Sequence, residues 1–366
     1  MGKAPKVEVK VLIMSGGRGT RMWPISNAGN PKQLEKLVGD HSMFRETVER
    51  VLKGYKASDV YVATSDKYGH HMMAQAPEIP KENFILEPAM RDNLGAVALA
   101  TAVINHRHPD SVMVILWGAD HVVQKVDRFL AALGEAARLA YENKVIVHVD
   151  TPPTYPTVHN GWLKIGDRVS SAGEFKVYEM IEHVEKPDLK RAKQFFKSKN
   201  YVIHVGYMAT QPSLLLGYYE KYAPDAFKIV KTIERAIDTT EFSMVLEKEY
   251  PKFEKVSVDY GLFEKLPTGS QWELPVDMGW IDVGTWELLY HGMPKDKDGN
   301  VLLGNPRLDG VTNSLVVSRE KRQIGLIGLD GMIIVDTEEG LLVCPLSEAG
   351  RVKQLYKDLY EGKASN

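Results

Sequence analysis

Cysteine is almost absent from this 366-residue chain, since Cys344 is the only one. A single thiol excludes a disulfide framework within the chain, and its apolar neighbours Leu342 and Val343 favour a core position over a nucleophile. No apolar run reaches the length that spans a membrane, and residues 1–10 lack the apolar segment of a signal peptide. These absences lead us to expect a cytoplasmic protein that contacts no membrane.

The chain also lacks an excess of charge of either sign. Lysine and arginine number 46 against 48 aspartate and glutamate residues, which gives a formal net charge of −2. That balance leaves no basic surface for nucleic acid, so any anion-binding site must be local. The apolar fraction of 44% is ordinary for a globular protein, and the length suffices for two domains.

Glycines are concentrated directly after an apolar run at residues 9–14, in the stretch Ser15-Gly16-Gly17-Arg18-Gly19-Thr20-Arg21-Met22-Trp23-Pro24. The apolar run is typical of a buried strand, and the glycines allow successive backbone N–H groups to converge on a phosphate. Arg18, Arg21 and Lys32 supply positive charge nearby. The stretch is neither a P-loop nor a dinucleotide fingerprint, because Met22 stands where the third glycine would be. A tight turn is the alternative, but the three cations favour a polyphosphate site.

Two aspartates are candidates for holding the Mg²⁺ that a polyphosphate needs. Asp120 follows the apolar run 112–117, and an acid at the end of such a strand would face the same edge of the sheet as the glycine stretch. Asp282 lies between Trp280 and Trp286. Each could instead cap a helix, and for Asp282 alone the two interpretations are evenly balanced. Paired across one metal ion, the aspartates favour the functional interpretation.

Two further motifs have a functional and a structural interpretation. In Glu185-Lys186-Pro187, the carboxylate could accept hydrogen bonds from sugar hydroxyls and the lysine could contact a sugar phosphate. Alternatively, the two charged residues could form a surface ion pair at the start of a helix. Asn93 could present its amide to the edge of a base, or it could cap the helix that follows it.

Apolar runs alternate with helix-like stretches in the first part of the chain, at residues 9–14, 60–64, 112–117 and 144–149. This alternation predicts an α/β fold, with a doubly wound mixed, mostly parallel sheet. Further strands are predicted at residues 161–165, 175–184, 202–209 and 256–258. Beyond a charged linker near residue 295, short apolar runs punctuated by glycine and aspartate predict a small all-β module that ends in a helix, with strands at residues 301–303, 314–318, 323–327, 332–336 and 341–344.

Seven blocks together resemble the nucleotide-sugar pyrophosphorylases, and most closely their mannose-1-phosphate guanylyltransferase branch. They are the glycine stretch, Pro31-Lys32-Gln33, Glu87-Pro88 with Arg91-Asp92-Asn93, Ala119-Asp120-His121, Glu185-Lys186-Pro187, Val258-Asp259-Tyr260 with Glu264-Lys265, and Trp280-Ile281-Asp282-Val283-Gly284-Thr285-Trp286. The resemblance implies a Rossmann-like nucleotidyltransferase domain at residues 1–295 and a short β-helix-like module with a terminal helix at residues 296–366. It further implies a homodimer.

The resemblance also implies the reaction and its residues. GTP and mannose 1-phosphate would give GDP-mannose and pyrophosphate by in-line attack of the sugar phosphate on the α-phosphorus, with Mg²⁺ held by Asp120 and Asp282. The catalytic residues would be Arg21, Lys32 and Asp120. The nucleotide would be bound by Gly16, Gly17, Arg18, Gly19, Thr20, Arg21, Asn93 and Ala119. The sugar phosphate would be bound by Gly161, Glu185, Lys186 and His204.

Departures from the family pattern cluster on the sugar side. Only Pro156 and Gly161 remain of the usual sugar loop, and Trp162 replaces an aromatic residue of that loop. His204 stands where the family has a sugar-contacting amide. The alternatives are therefore a nucleotidyltransferase for another sugar 1-phosphate, or a non-catalytic homologue that senses nucleotide sugars.

Overall fold

A ten-stranded mixed sheet forms the centre of the first of two units in the computed structural model, which describes residues 7–17, 19–27, 29–319, 321–360 and 362. The first unit comprises the chain up to Gly16 together with Arg50–Gly118 and Lys125–Met278, and the second comprises Gly17–Glu49, Ala119–Gln124 and the chain from Gly279. The first twelve strands are β1 (Val9–Met14), β2 (Val60–Ser65), β3 (Phe84–Glu87), β4 (Val112–Leu116), β5 (His121–Val123), β6 (Ile146–Asp150), β7 (Gly161–Ala172), β8 (Phe175–Val184), β9 (Tyr201–His204), β10 (Tyr207–Thr210), β11 (Gln271–Pro275) and β12 (Trp280–Asp282).

The α-helices differ widely in length, and among the described residues none is long and apolar enough to cross a membrane. They are α1 (Met43–Leu52), α2 (Asp66–Gln75), α3 (Asp92–Arg107), α4 (Val126–Asn143), α5 (Leu189–Ser198), α6 (Pro212–Tyr222), α7 (Pro224–Glu234), α8 (Phe242–Glu249), α9 (Val258–Gly261), α10 (Trp286–Gly292) and α11 (Val352–Tyr360). Helix α3 is buried over most of its length and packs against α6 and α7, which explains its alanine-rich composition.

The strands of the large sheet lie in the order β3-β2-β1-β4-β10-β6-β11-β8-β7-β9. Seven of the ten run in one direction, and β8, β9 and β10 oppose them. Val11, Leu12 and Ile13 of β1 have no exposed surface, as expected for a strand covered on both faces. The predicted doubly wound, mostly parallel mixed sheet is confirmed.

Strands β1 and β4 are parallel neighbours, with Ile13 opposite Leu116. Their carboxyl ends therefore lie at one edge of the sheet. The chain continues from β1 into the glycine stretch and from β4 towards Asp120, which is the connectivity that the apolar runs predicted.

Two predicted strands were wrong. The run 202–209 forms two strands, because Gly206 between them has a φ of +78° and lies so close to Trp117 that a Cβ would be 2.4 Å from the tryptophan Cβ. The run 256–258 is not a strand, because Ser257 accepts a hydrogen bond from the Tyr260 N–H at 3.4 Å and starts helix α9.

The second unit contains the antiparallel pair β5–β12 and a C-terminal set of short strands, β13 (Val301–Leu303), β14 (Arg307–Asp309), β15 (Leu315–Ser318), β16 (Gly325–Ile327), β17 (Met332–Asp336) and β18 (Leu341–Pro345). Strands β13, β15 and β17 pair in parallel, as do β14 and β16. Successive parallel pairs of this kind form the predicted β-helix-like module, with α11 as its terminal helix. Its apolar core includes Met22 and Trp23, which follow the glycine stretch.

Candidate active site

The glycine stretch continues from Gly17 into the second unit, where Gly19 is closely packed. Gly17 and Gly19 have φ values of +97° and +64°, which residues other than glycine rarely adopt. A Cβ on Gly19 would lie 2.9 Å from the Lys32 backbone nitrogen, so the loop rests directly on the lysine. The Ser26 hydroxyl donates to the Gly19 carbonyl at 2.5 Å, and Gln33 Nε2 donates to the Gly17 carbonyl at 3.3 Å. These bonds hold the loop and Lys32 in one arrangement.

Replacing Gly19 by alanine is expected to lower the free energy of unfolding by about 1–3 kcal/mol, because the methyl group meets Lys32 and the left-handed conformation is strained. Gly134→Ala in helix α4 is expected to raise the free energy of unfolding instead, because alanine favours a helix and no atom lies within 4 Å of the added Cβ. Urea denaturation of both variants measures the two changes. Equal stability of the two variants would contradict the packing of Gly19 against Lys32.

Lys32 connects the glycine loop to Asp120 and to the backbone next to Asp282. Its ammonium group forms an ion pair with Asp120 Oδ2, and it donates to the backbone carbonyl of Val283 at 3.1 Å. Val283 directly follows Asp282 in the chain. The structure therefore brings together Lys32, Asp120 and the backbone beside Asp282, three positions that are far apart in sequence.

The environment of Asp120 favours an ionised carboxylate. Burial opposes ionisation, but Lys32 and His121 together hold the pKa of Asp120 below its usual value. Asp120 precedes strand β5 and not a helix, so the interpretation as a helix cap was wrong. In the antiparallel pair β5–β12, His121 lies opposite Asp282. Asp282 is the last residue of β12, and Asp120 directly precedes β5, so the two aspartates belong to neighbouring strands.

Asp282 is not a helix cap either. The cap of helix α10 is Thr285, whose hydroxyl accepts from the Leu288 N–H at 3.2 Å. A Cβ on Gly284 would lie 2.8 Å from Asp282 Oδ1, so glycine leaves the space that this carboxylate occupies. Asp282 and the ionised Asp120 are carboxylates, the kind of oxygen ligand that Mg²⁺ prefers.

The remaining residues that were predicted to bind the nucleotide have different surroundings. Gly16 is the last residue of the first segment of the first unit, Thr20 and Arg21 lie in the turn after Gly19, and Arg18 falls outside the described residues. The buried Ala119 accepts a hydrogen bond from the Thr47 hydroxyl through its carbonyl at 3.3 Å. Asn93 does not cap its own helix, because its Oδ1 accepts from the Val258 N–H at 2.7 Å.

The four residues that were predicted to bind the sugar phosphate lie together in the first unit. Gly161 pairs with His204 across strands β7 and β9, and a Cβ on Gly161 would lie 2.8 Å from Glu185 Oε2. Lys186 forms an ion pair with Glu185. Hydrogen bonding to His183 and then to Lys186 lowers the pKa of Glu185 to about 2, although burial opposes this. Helix α5 begins at Leu189, so the predicted start at Pro187 was two residues early.

A buried polar cluster around His204 was not predicted. His204 Nδ1 lies 3.1 Å from Asp150 Oδ2, and the Val205 N–H donates to Asp150 Oδ1 at 2.7 Å. Burial disfavours the imidazolium, but Asp150 outweighs it and raises the pKa of His204 to about 9. The sequence did contain a signal, because His148 and Asp150 interrupt an apolar strand at alternating positions.

Family models match nearly the whole chain. The model described as nucleotidyl transferase matches residues 10–299, and the one described as MannoseP isomerase/GMP-like beta-helix domain matches residues 310–359.

Individual relatives agree with these models. A mannose-1-phosphate guanylyltransferase of Escherichia coli is 30% identical over 95% of this chain and 75% of its own length. One of Sinorhizobium fredii is 29% identical over 95% of this chain and 67% of its own length. A crystal structure titled mannose-1-phosphate geranyltransferase, from Thermus thermophilus, superposes with a TM-score of 0.84 at 25% identity, covering 96% of this chain and 99% of that chain.

Proposed function

Because the chain belongs to the nucleotidyl transferase family, we propose that it transfers a guanylyl group from GTP to mannose 1-phosphate and releases pyrophosphate. The chain is an enzyme of this family, and the names of its relatives support both substrates. The observation that carries the proposal is that Lys32, which packs against Gly19 of the glycine loop, contacts both Asp120 and the Val283 carbonyl next to Asp282.

The reaction needs no protein nucleophile. An oxygen of the sugar phosphate forms a bond to the α-phosphorus of GTP, and the bond from that phosphorus to the bridging oxygen of the β-phosphate breaks. The negative charge of the leaving pyrophosphate and of the transferred group must be neutralised, so the protein acts by alignment and by placing fixed charge.

The second unit supplies the groups for the triphosphate. The loop amides of Gly17 and Gly19, with Thr20, Arg21 and Arg18, would bind the β- and γ-phosphates. Lys32 would stabilise the charge that grows on the transferred phosphoryl group, for which its ammonium must leave Asp120. Asp120 and Asp282 would hold Mg²⁺, which when bound neutralises phosphate charge. The assignment of Gly16, Asn93 and Ala119 to the guanine rests on the family resemblance alone.

The first unit supplies the groups for the sugar phosphate. The ionised Glu185 is an acceptor for sugar hydroxyls, and Lys186 and the imidazolium of His204 are donors for the phosphate. Gly161 leaves the space in which the Glu185 carboxylate and the His204 ring approach each other. Because His204 replaces the family's amide, another sugar 1-phosphate is the second candidate substrate.

A matrix of substrates tests the proposal. Pyrophosphate release is measured with GTP, ATP, UTP and dTTP, each combined with the 1-phosphates of mannose, glucose, galactose and fucose. We expect the highest kcat/KM for GTP with mannose 1-phosphate. A higher value for a different sugar with GTP would replace the sugar assignment, and release with none of the pairs would contradict the proposed function.

Replacing Glu185 by glutamine is expected to raise the KM for mannose 1-phosphate about tenfold, because a strong charged acceptor for sugar hydroxyls becomes a weaker neutral one. The KM for GTP should not change. Initial-rate kinetics with each substrate varied in turn measure both constants. The exposed Glu174→Gln variant is the matched control. An equal rise in the KM for GTP would contradict the assignment of Glu185 to the sugar phosphate.

A further inference from the structure

We infer that His148, Asp150 and His204 form a binding site in the first unit for one first-row transition dication, best suited to Zn²⁺, in addition to the proposed Mg²⁺ ligands of the second unit. His148 and Asp150 lie two positions apart on β6, so their side chains share one face of the strand. His204 ends β9. One ligand atom from each residue lies within 4.8 Å of the other two. Ligands of a zinc ion lie about 2.0–2.2 Å from it, so modest side-chain rotations would complete the site.

The hydrogen bonds around His148 leave one ring nitrogen as a buried acceptor. His148 Nε2 lies 2.9 Å from Gln271 Oε1, which accepts its proton and thereby fixes the tautomer. His148 Nδ1 then carries a lone pair, and among the described residues it has no hydrogen-bond partner. A second residue that fixes the tautomer of a metal-binding imidazole is a common feature of zinc sites.

Two buried carboxyl groups, those of Asp150 and Glu273, belong to the cluster. Asp150 and Glu273 have no exposed surface, and Glu273 contacts Asp150. Glu273 pairs in register with His148, so it lies beside the three ligands. A dication would take the place of the proton on His204, so that His204 would bind it as a neutral imidazole beside Asp150 and would no longer be a cationic donor for the phosphate.

The ligand set also selects the metal. Two imidazoles with one or two carboxylates suit Zn²⁺ and its first-row neighbours, whereas Mg²⁺ prefers oxygen ligands and water. A cavity of about 310 Å³, lined among others by His148, His183 and His204, provides a route into the cluster. His204 Nδ1 faces Asp150, while Nε2 lies 4.0 Å from Asp259. Coordination through Nδ1 would therefore leave Nε2 for a substrate.

A metal ion at this position would link strands β6 and β9 of the large sheet. Binding to the folded state alone stabilises a protein by mass action, so the melting temperature should rise with the concentration of the ion. This effect does not depend on the proposed transferase reaction, and its measurement needs no substrate.

The test uses the full chain without an affinity tag, treated with a chelator and then dialysed. Calorimetric titration with Zn²⁺ is expected to give one ion per chain, and melting curves should shift upwards by several degrees. Titration with Co²⁺ should give the intense visible bands of a site with four ligands. An excess of Mg²⁺ should not reverse either result.

Variants locate the ion. His148→Gln and His204→Asn are each expected to weaken Zn²⁺ binding by about 100-fold or more. The control is the double variant His70→Ala with His71→Ala, which removes an exposed pair of histidines on helix α2 whose ring centroids lie 3.9 Å apart. It should keep the wild-type affinity.

The inference is overturned if the wild-type chain binds neither Zn²⁺ nor Co²⁺, or if His148→Gln and His204→Asn both keep the wild-type affinity for Zn²⁺. Circular dichroism of the metal-free variants shows whether they fold. If one does not, the visible spectrum of the wild-type Co²⁺ form decides, because the absence of imidazole-type bands would itself contradict the site.

Discussion

Replacing Asp120 by asparagine is expected to lower kcat for GDP-mannose formation by about 1,000-fold. Asparagine keeps the size of the side chain but removes the charge that pairs with Lys32 and that would hold Mg²⁺. The affinity for GTP should change far less, because the proposed contacts of the loop amides and Arg21 with the phosphates do not involve Asp120. Steady-state kinetics and equilibrium binding of GTP measure the two effects separately.

The control for this variant is Asp309→Asn, an exposed aspartate on β14 of the same unit, which should keep the wild-type rate. Asp282→Asn should resemble the Asp120 variant, with a large loss of turnover and a small loss of nucleotide affinity. Wild-type turnover in either active-site variant would remove that carboxylate from the proposed metal site. Melting curves for all three variants show that a loss of rate is not a loss of fold.

Replacing Lys32 by methionine is expected to lower kcat by about 100-fold or more, because the charge placed for the transferred phosphoryl group is lost. Methionine retains the carbon atoms on which Gly19 packs, so the loop should keep its conformation. The pKa of Asp120 should also rise, since Lys32 contributes to holding it low. The acidic side of the pH–rate profile should therefore move to higher pH in this variant.

Lys36→Met is the matched control, because Lys36 lies four residues further along the chain and is exposed. It should match the wild type in kcat and in its pH profile. A Lys32→Met enzyme with more than half of the wild-type kcat would contradict the catalytic role of the ion pair between Lys32 and Asp120.

The sequence predicted the strands and loops that depend on local pattern. The apolar run 9–14 is strand β1 with the same bounds, and the run 175–184 is strand β8. The glycine loop was predictable because conformations with positive φ at Gly17 and Gly19 require glycine. Asp120 was expected near the glycine stretch and its cations because both follow apolar runs whose strands end at the same edge of the sheet.

Other features depend on contacts that no local pattern contains. The break at Gly206 arises from Trp117, a residue almost ninety positions earlier in the chain. Asn93 likewise accepts a hydrogen bond from the distant Val258 N–H and does not cap its own helix. The histidine cluster forms because β6, β9 and β11 belong to one sheet, and the order of strands beyond β4 could not be derived from apolar periodicity.

The C-terminal module has a position that the sequence did not indicate. Trp286 donates its indole N–H to the Trp23 carbonyl at 3.0 Å, and the two tryptophans share a core with Leu315 and Ile333. The module therefore supports the segment that follows the glycine loop, within the same unit. The domain boundary at residue 295, the homodimer and the cytoplasmic location stay predictions.

The most direct test of guanylyl transfer is ³¹P nuclear magnetic resonance of the protein with GTP, mannose 1-phosphate and Mg²⁺. We predict that the signals of GTP and mannose 1-phosphate decrease together while GDP-mannose and pyrophosphate appear in equal amounts, and that a chelator stops the change. Formation of GDP and inorganic phosphate without GDP-mannose, or an unchanged spectrum, would contradict the account.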